Sequence, residues 1–279
     1  MRLSRRRHIW PFLGDIGCIS HKQEYFEFLR RQLLQFRIVF LVLGNHEPWY
    51  STWDRAKEEA RQFESDIATE RQATDAPGNF VLLDRNAYHL REPSGESAVV
   101  LGCTLFSRVP TDALEAVSFG INDFYHTENW TVEQHTAQFE GDVRWLNEQV
   151  ASHRGEKIIV LTHYNPTMDE RTSDPRHGHS SIRSGFATDL SKEVVWLNGD
   201  VKVWAFDHTH YKCDYVDEET GKRVVANQRG YYFLMKAKYF TSSDTSLLPI
   251  QCQIWSCFEH RMGGFEPPRE IYETPVPYI

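Results

Sequence analysis

Val201-Lys202-Val203-Trp204-Ala205-Phe206-Asp207-His208-Thr209-His210 is an apolar run that ends in two histidines. On a strand, residues i and i+2 project from the same face. The run therefore predicts two imidazoles side by side at a strand mouth, read either as metal ligands or as turn residues. Three other runs end in a comparable way. Ile9-Trp10-Pro11-Phe12-Leu13 leads into Gly14-Asp15, Ile38-Val39-Phe40-Leu41-Val42-Leu43 into Gly44-Asn45-His46-Glu47, and Ile158-Ile159-Val160-Leu161 into Thr162-His163. Short continuous apolar runs bounded by turn signals suit strands buried on both faces. Ligands collect at the carboxyl ends of such strands. Asp15, Asn45, His46, His163, His208 and His210 are thus expected to gather along one edge.

The segments between these runs supply the helices. Over 23–36, Phe26, Leu29, Leu33 and Phe36 recur at three- and four-residue spacings, and the segment would join the first two strands as a βαβ unit. Over 51–70, Ser51 and Asp54 give a capping-box-like start to a stripe of Trp53, Ala56, Ala60, Phe63 and Ile67. Strands are expected over 80–83 and 98–106, with Glu92-Pro93-Ser94-Gly95-Glu96 as a hairpin turn between strands near Tyr88 and Ala98. A loop with short helical pieces follows over 109–130, then a long helix over 131–153 that opens on a Thr131/Gln134 capping box. A short helix is expected over 188–196 and a hairpin between 211–216 and 223–226. His126, His135 and His153 end no apolar strand and read as surface or capping histidines. The segment 169–185 carries Arg171, Arg176, Arg183, His177 and His179 among small polar residues. Its arginines either clamp phosphate oxygens or belong to a solvated loop.

Composition bounds the function. A chain of 279 residues with 41% hydrophobic and 13% aromatic residues is long enough for one α/β domain with a large core. A net charge of −8 argues against general nucleic-acid binding. No run approaches the ~20 apolar residues of a membrane span, and no secretory h-region follows the basic N-terminal residues. The five cysteines are scattered and odd in number, which suits free thiols in a reducing, cytoplasmic setting.

Gly14-Asp15, Gly44-Asn45-His46-Glu47, Thr162-His163 and His208-Thr209-His210, in this order, resemble the motifs of the calcineurin-like metallophosphoesterase family, from about Phe12 to about Phe233. Ile121-Asn122-Asp123-Phe124, Trp130-Thr131-Val132-Glu133, Asp174-Pro175-Arg176-His177 and Asn227-Gln228-Arg229-Gly230-Tyr231-Tyr232-Phe233 are similar to its fungal branch. The resemblance implies an α/β fold, a metallophosphoesterase-like sandwich of mixed β-sheets flanked by α-helices. It implies a phosphoesterase domain over 1–233, expected to be truncated at its N-terminus, and a divergent tail over 234–279.

The resemblance also implies a chemistry. One or two divalent metal ions (Mn, Fe or Zn) would activate water as a metal-bound hydroxide against a phosphomonoester or phosphodiester. Asp15 would bridge the ions, Asn45, His163 and His208 would complete one, and His210 would serve the other. His46 would donate a proton to the leaving group or stabilise the transition state, and Glu47 would orient His46, be solvated or cap. Three departures stand out: no Asp-x-His strand precedes Asp15, Cys18 stands where a second aspartate is usual, and Asp207 replaces the glycine before His208. They imply an incomplete first metal half-site. Asp207 and Cys18 are the nearest substitutes in sequence, and strand alternation would turn Asp207 away. Two function classes follow: an impaired metal-dependent phosphoesterase, or a non-catalytic relative that binds a partner or phosphorylated ligand.

Overall fold

A computed structural model of the chain describes residues 9–74, 77–92, 95–177 and 180–227. The expected tail over 234–279 lies outside the described residues. Two successive βαβ units open the fold. They comprise β1 (Ile9–Phe12), α1 (Lys22–Leu33), β2 (Ile38–Leu41), α2 (Trp53–Ala73) and β3 (Asn79–Leu82). These strands form a parallel sheet in the order β1-β2-β3. Every residue of β2 is buried, as its unbroken apolar run requires.

The second sheet contains β4 (Asn86–Arg91), β5 (Ser97–Cys103), β6 (Ile158–Thr162), β7 (Val201–Phe206), β8 (Cys213–Val216) and β9 (Arg223–Ala226). Their order is β4-β5-β6-β7-β9-β8. The four central strands are parallel, while β4 and β8 close the edges as antiparallel hairpin partners. The fold is therefore a mixed α/β one, with both sheets flanked by helices. Between β5 and β6 lie α3 (Leu114–Gly120), α4 (Asp123–His126) and α5 (Val132–Ser152), and α6 (Val194–Leu197) precedes β7.

One large apolar cluster joins strands of both sheets to the helices. It includes Leu41 of β2, Leu101 of β5, Val160 of β6 and Trp204 of β7. The expected stripe of α2 is buried along its length, from Trp53 to Ile67. Each large side chain of that stripe contributes roughly 1.5–3 kcal/mol on burial. The Thr131/Gln134 capping box of α5 is present in both directions, and Phe139, Val143, Leu146 and Val150 face inward.

Three local expectations are corrected. The N-cap of α2 is Thr52, whose hydroxyl accepts from Arg55 N–H at 3.2 Å; Ser51 instead bridges to Thr127. Residues 188–196 form no helix beyond the short α6. Asp189 accepts from Ser191 N–H at 2.9 Å and Thr188 from Arg108 N–H at 2.8 Å, so side chains take up the donors around this turn. His135 is buried, not superficial. Its Nε2 meets the N–H of Ser107 at 3.0 Å and the hydroxyl at 2.8 Å, and burial pushes its pKa down to about 3. With Nε2 accepting from Ser107, the proton of the neutral ring sits on Nδ1, which is buried with no hydrogen-bond partner among the described residues.

Candidate metal centre

The carboxyl ends of β1, β2, β6 and β7 meet at one place, with each sheet supplying two. The expected single edge is thus the junction of two sheets. His163, at the end of β6, sets its Nδ1 2.6 Å from the carbonyl of Leu13 at the end of β1. Gly14 and Gly44 allow this close approach. A Cβ on Gly14 would lie 2.5 Å from His163 Nδ1, and one on Gly44 would collide with Asp15 Oδ1. Gly14 also holds φ at +95°, the left-handed region that glycine adopts without penalty.

Asp15, His163 and His208 offer ligand atoms that all lie within 4.8 Å of one another. Asn45 joins them, its Oδ1 2.8 Å from His163 Nε2, and His208 Nδ1 lies 3.1 Å from that same nitrogen. Proton assignment follows from the neighbours. A carbonyl only accepts, so His163 Nδ1 donates to Leu13 and Nε2 carries a lone pair. Burial pushes the pKa of His163 down, which keeps the ring neutral. The amide nitrogen of Asn45 donates to Asp123 Oδ1 at 2.7 Å, so the Asn45 oxygen must face His163. Two acceptors therefore confront each other at 2.8 Å in a buried site, with Asp15 Oδ1 3.6 Å away from the same nitrogen. A cation resolves that repulsion. One carboxylate, one amide oxygen and two imidazoles, without thiolate, form a donor set suited to Mn, Fe or Zn.

His208 does not reach the centre by strand alternation. β7 stops at Phe206, and His208 (φ 69°) and His210 (φ 51°) both take left-handed backbone. One of the pair is buried and the other exposed. His208 is buried against Tyr164 and Phe186, with ring centroids at 4.2 and 4.9 Å. His210 is exposed and lies outside the tight group. Partial burial lowers its pKa, while the Asp15 carboxylate opposes that shift.

His46 donates its backbone N–H to Asp15 Oδ1 at 3.1 Å and holds its imidazole Nε2 4.0 Å from Asp15 Oδ2. Its ring stacks on Trp49 at 3.8 Å. Glu47 neither orients His46 nor reaches solvent. It is fully buried and accepts from Asp15 N–H (3.0 Å) and Gly44 N–H (2.7 Å) on one oxygen. Ile16 N–H (3.1 Å) and the Tyr25 hydroxyl (3.2 Å) donate to the other. Burial and the Asp15 charge push the Glu47 carboxyl up, and the three backbone donors oppose this.

Asp207, expected to face away, senses the centre: burial and then the Asp15 carboxylate push it well above the ordinary carboxylate range. Cys18 is half-buried, and burial with the Glu47 charge pushes its thiol up to about 11, so it keeps its proton at neutral pH. The arginines of the 169–185 segment have partners within the chain. Arg171 is held by Asp169 and Glu218 and lies over the Tyr215 ring, Arg176 is held by Asp174, and Arg183 donates to the carbonyl of Met168. His179 lies outside the described residues.

Asp123 was given no role by sequence reasoning. It is buried, and its carboxylate collects Asn45 Nδ2 (2.7 Å) and Trp49 Nε1 (3.1 Å) on Oδ1 and the Tyr164 hydroxyl (3.4 Å) on Oδ2. Burial pushes its pKa up to about 6. The available signal was a carboxylate inside the Ile121-Asn122-Asp123-Phe124 stretch, far in sequence from any strand end.

Comparison with curated protein sequences gives no match. Among solved structures, the phosphopantetheinyl hydrolase of Mycobacterium tuberculosis is similar with a TM-score of 0.58 at 13% identity, over 84% of this chain and 88% of that one. A dimetal phosphatase from Danio rerio aligns over 79% of this chain and 86% of its own, at 12% identity and a TM-score of 0.36. The first likeness supports the fold alone. The family model for calcineurin-like phosphoesterases matches residues 5–212, most of the chain and all four strand ends of the centre. By that match, the chain belongs to the calcineurin-like phosphoesterase family.

Proposed function

We propose that this chain is a metal-dependent phosphoesterase in which Asp15, Asn45, His163 and His208 hold one divalent cation tightly, and His210 with Asp15 serves a second weakly. The observation that carries the reading is the confrontation of Asn45 Oδ1 with His163 Nε2 at 2.8 Å inside a group that also includes Asp15 and His208. Buried acceptors in contact are unfavourable unless a positive charge lies between them. A bound divalent cation supplies Lewis acidity toward a phosphoryl oxygen and lowers the pKa of water to ~7. His46 donates a proton to the leaving oxygen, with its ring fixed by Trp49 and its backbone by Asp15. The exposure of His210 favours unequal sites. It also supports the second reading, a family member that binds phosphorylated ligands without turnover.

The test is titration of Mn²⁺ into metal-stripped protein by calorimetry, beside hydrolysis of a generic phosphodiester. One tight and one weak site, with hydrolysis rising as Mn²⁺ is added, is the expected result. Binding without hydrolysis at any Mn²⁺ concentration selects the non-catalytic reading. Two equally tight sites contradict the unequal assignment, and no binding removes the metal assignment.

A further inference from the structure

We infer that Asp123 is the positioning residue of the centre, setting the amide of Asn45 and, through Trp49, the ring of His46; this rests on the metal-centre reading above. One oxygen, Oδ1, receives both Asn45 Nδ2 at 2.7 Å and Trp49 Nε1 at 3.1 Å. Trp49 in turn carries His46 on its face at 3.8 Å, inclined by 29°. Asn45 and His46 are adjacent in sequence but face different partners, and Asp123 connects to both.

The reason lies in how Asn45 would behave without it. An asparagine amide has two orientations, differing by exchange of its oxygen and nitrogen. Left alone, Asn45 would turn its NH₂ toward His163 Nε2 and convert an acceptor–acceptor contact into a hydrogen bond. That bond would occupy the lone pair a cation needs. A carboxylate only accepts, so Asp123 admits only the orientation that aims Asn45 Oδ1 at His163. Asp123 thus holds the centre in the arrangement that is unfavourable when empty and favourable when a cation is bound. Groups that orient metal ligands typically affect affinity by about 10–100-fold when removed.

Trp49 has a second consequence for the same oxygen. In Asp123→Asn, the Trp49 N–H would still demand an acceptor at the Oδ1 position. The substituted amide would then be obliged to keep its own oxygen toward Asn45, and its NH₂ would meet the Tyr164 hydroxyl, which can accept. D123N should therefore keep most of the cation affinity, whereas D123A should lose it. Removing the indole donor as well, in D123N with Trp49→Phe, frees both amides to flip together.

The test is Co²⁺ binding to the full chain, read by calorimetry and by the visible absorption of bound Co²⁺, with folding checked by circular dichroism. The expected order is D123A weakened about 10–100-fold, D123N close to the unsubstituted protein, W49F close to it, and D123N/W49F as weak as D123A with an altered Co²⁺ spectrum. The double variant must lose more than the two single losses combined. If D123A does not fold, the D123N/W49F cycle decides alone. Unchanged affinity in a folded D123A, additive losses in the double variant, or a D123N as weak as D123A would each overturn the orientation argument. If the unsubstituted protein binds no Co²⁺, Mn²⁺ or Zn²⁺, the metal-centre reading itself falls, which is a different result from any of these.

Discussion

Replacing Glu47 by glutamine tests what holds Asp15 in place. Four donors reach the two Glu47 oxygens: Asp15 and Gly44 N–H on one, Ile16 N–H and the Tyr25 hydroxyl on the other. Glutamine turns one oxygen into an NH₂. The less damaging rotamer sets that NH₂ against Ile16 and Tyr25, because the hydroxyl can rotate to accept. Ile16 N–H then faces a donor with no acceptor in reach. Burial and the Asp15 charge push Glu47 toward its neutral form, so losing one bond removes about 0.5–1.5 kcal/mol, and with a stranded donor at about 1–3 kcal/mol the metal-free protein should lose about 1.5–4.5 kcal/mol. Against a typical total of about 5–15 kcal/mol, that is a large fraction. The assay is urea denaturation of metal-stripped protein at pH 7, with the slope checked for constancy. A Glu47→Gln midpoint equal to that of the parent would refute the account of Glu47 as a buried bracket between the first two strand ends.

Three further outcomes are expected. Asp15→Asn should abolish tight cation binding while the circular dichroism spectrum is retained, and unchanged metal content by elemental analysis would contradict the assignment. His46→Ala should lower kcat roughly 10²–10⁴-fold with metal content intact; equal turnover by the two proteins would remove its role as proton donor. His135 has its pKa pushed down to about 3 by burial. The unfolded chain therefore takes up the proton first. The stability conferred by the neutral ring is complete above about pH 6.5 and is lost as pH falls toward 3, at about 1.4 kcal/mol per pH unit. His135→Gln, measured by urea denaturation between pH 7 and 4, should show a shallower loss by that amount; parallel curves would show that His135 does not titrate on unfolding.

The strand ends were legible because burial on both faces leaves a plain mark: unbroken apolar runs stopped by glycine, asparagine, aspartate or histidine. The α2 and α5 stripes were legible because helical spacing is local. What failed was whatever depended on contacts across the chain. Glu47 read as a His46-orienting, solvated or capping group, and its four donors stayed hidden because they come from Asp15, Ile16, Tyr25 and Gly44. Asp123 was silent because its partners, Asn45, Trp49 and Tyr164, come from both sheets' strand ends. The strand rule for His208 and His210 failed because positive φ at both breaks the alternation. The carboxylates that hold Arg171 and Arg176, namely Asp169, Asp174 and Glu218, could not be assigned to them from sequence.

Asp15, His208 and His210 hold φ at 56°, 69° and 51°, backbone that suits glycine better than a side chain. Such conformations cost of order 1–3 kcal/mol each and persist only where the surroundings enforce them. Of the three, only His210 is exposed. A library scored by abundance should therefore enrich glycine at 210, while the same library scored by Mn²⁺-stimulated hydrolysis should reject it. The disagreement between the two maps would mark where this chain gives up durability to keep its chemistry, and selection for durability alone would erode the centre from that residue inward.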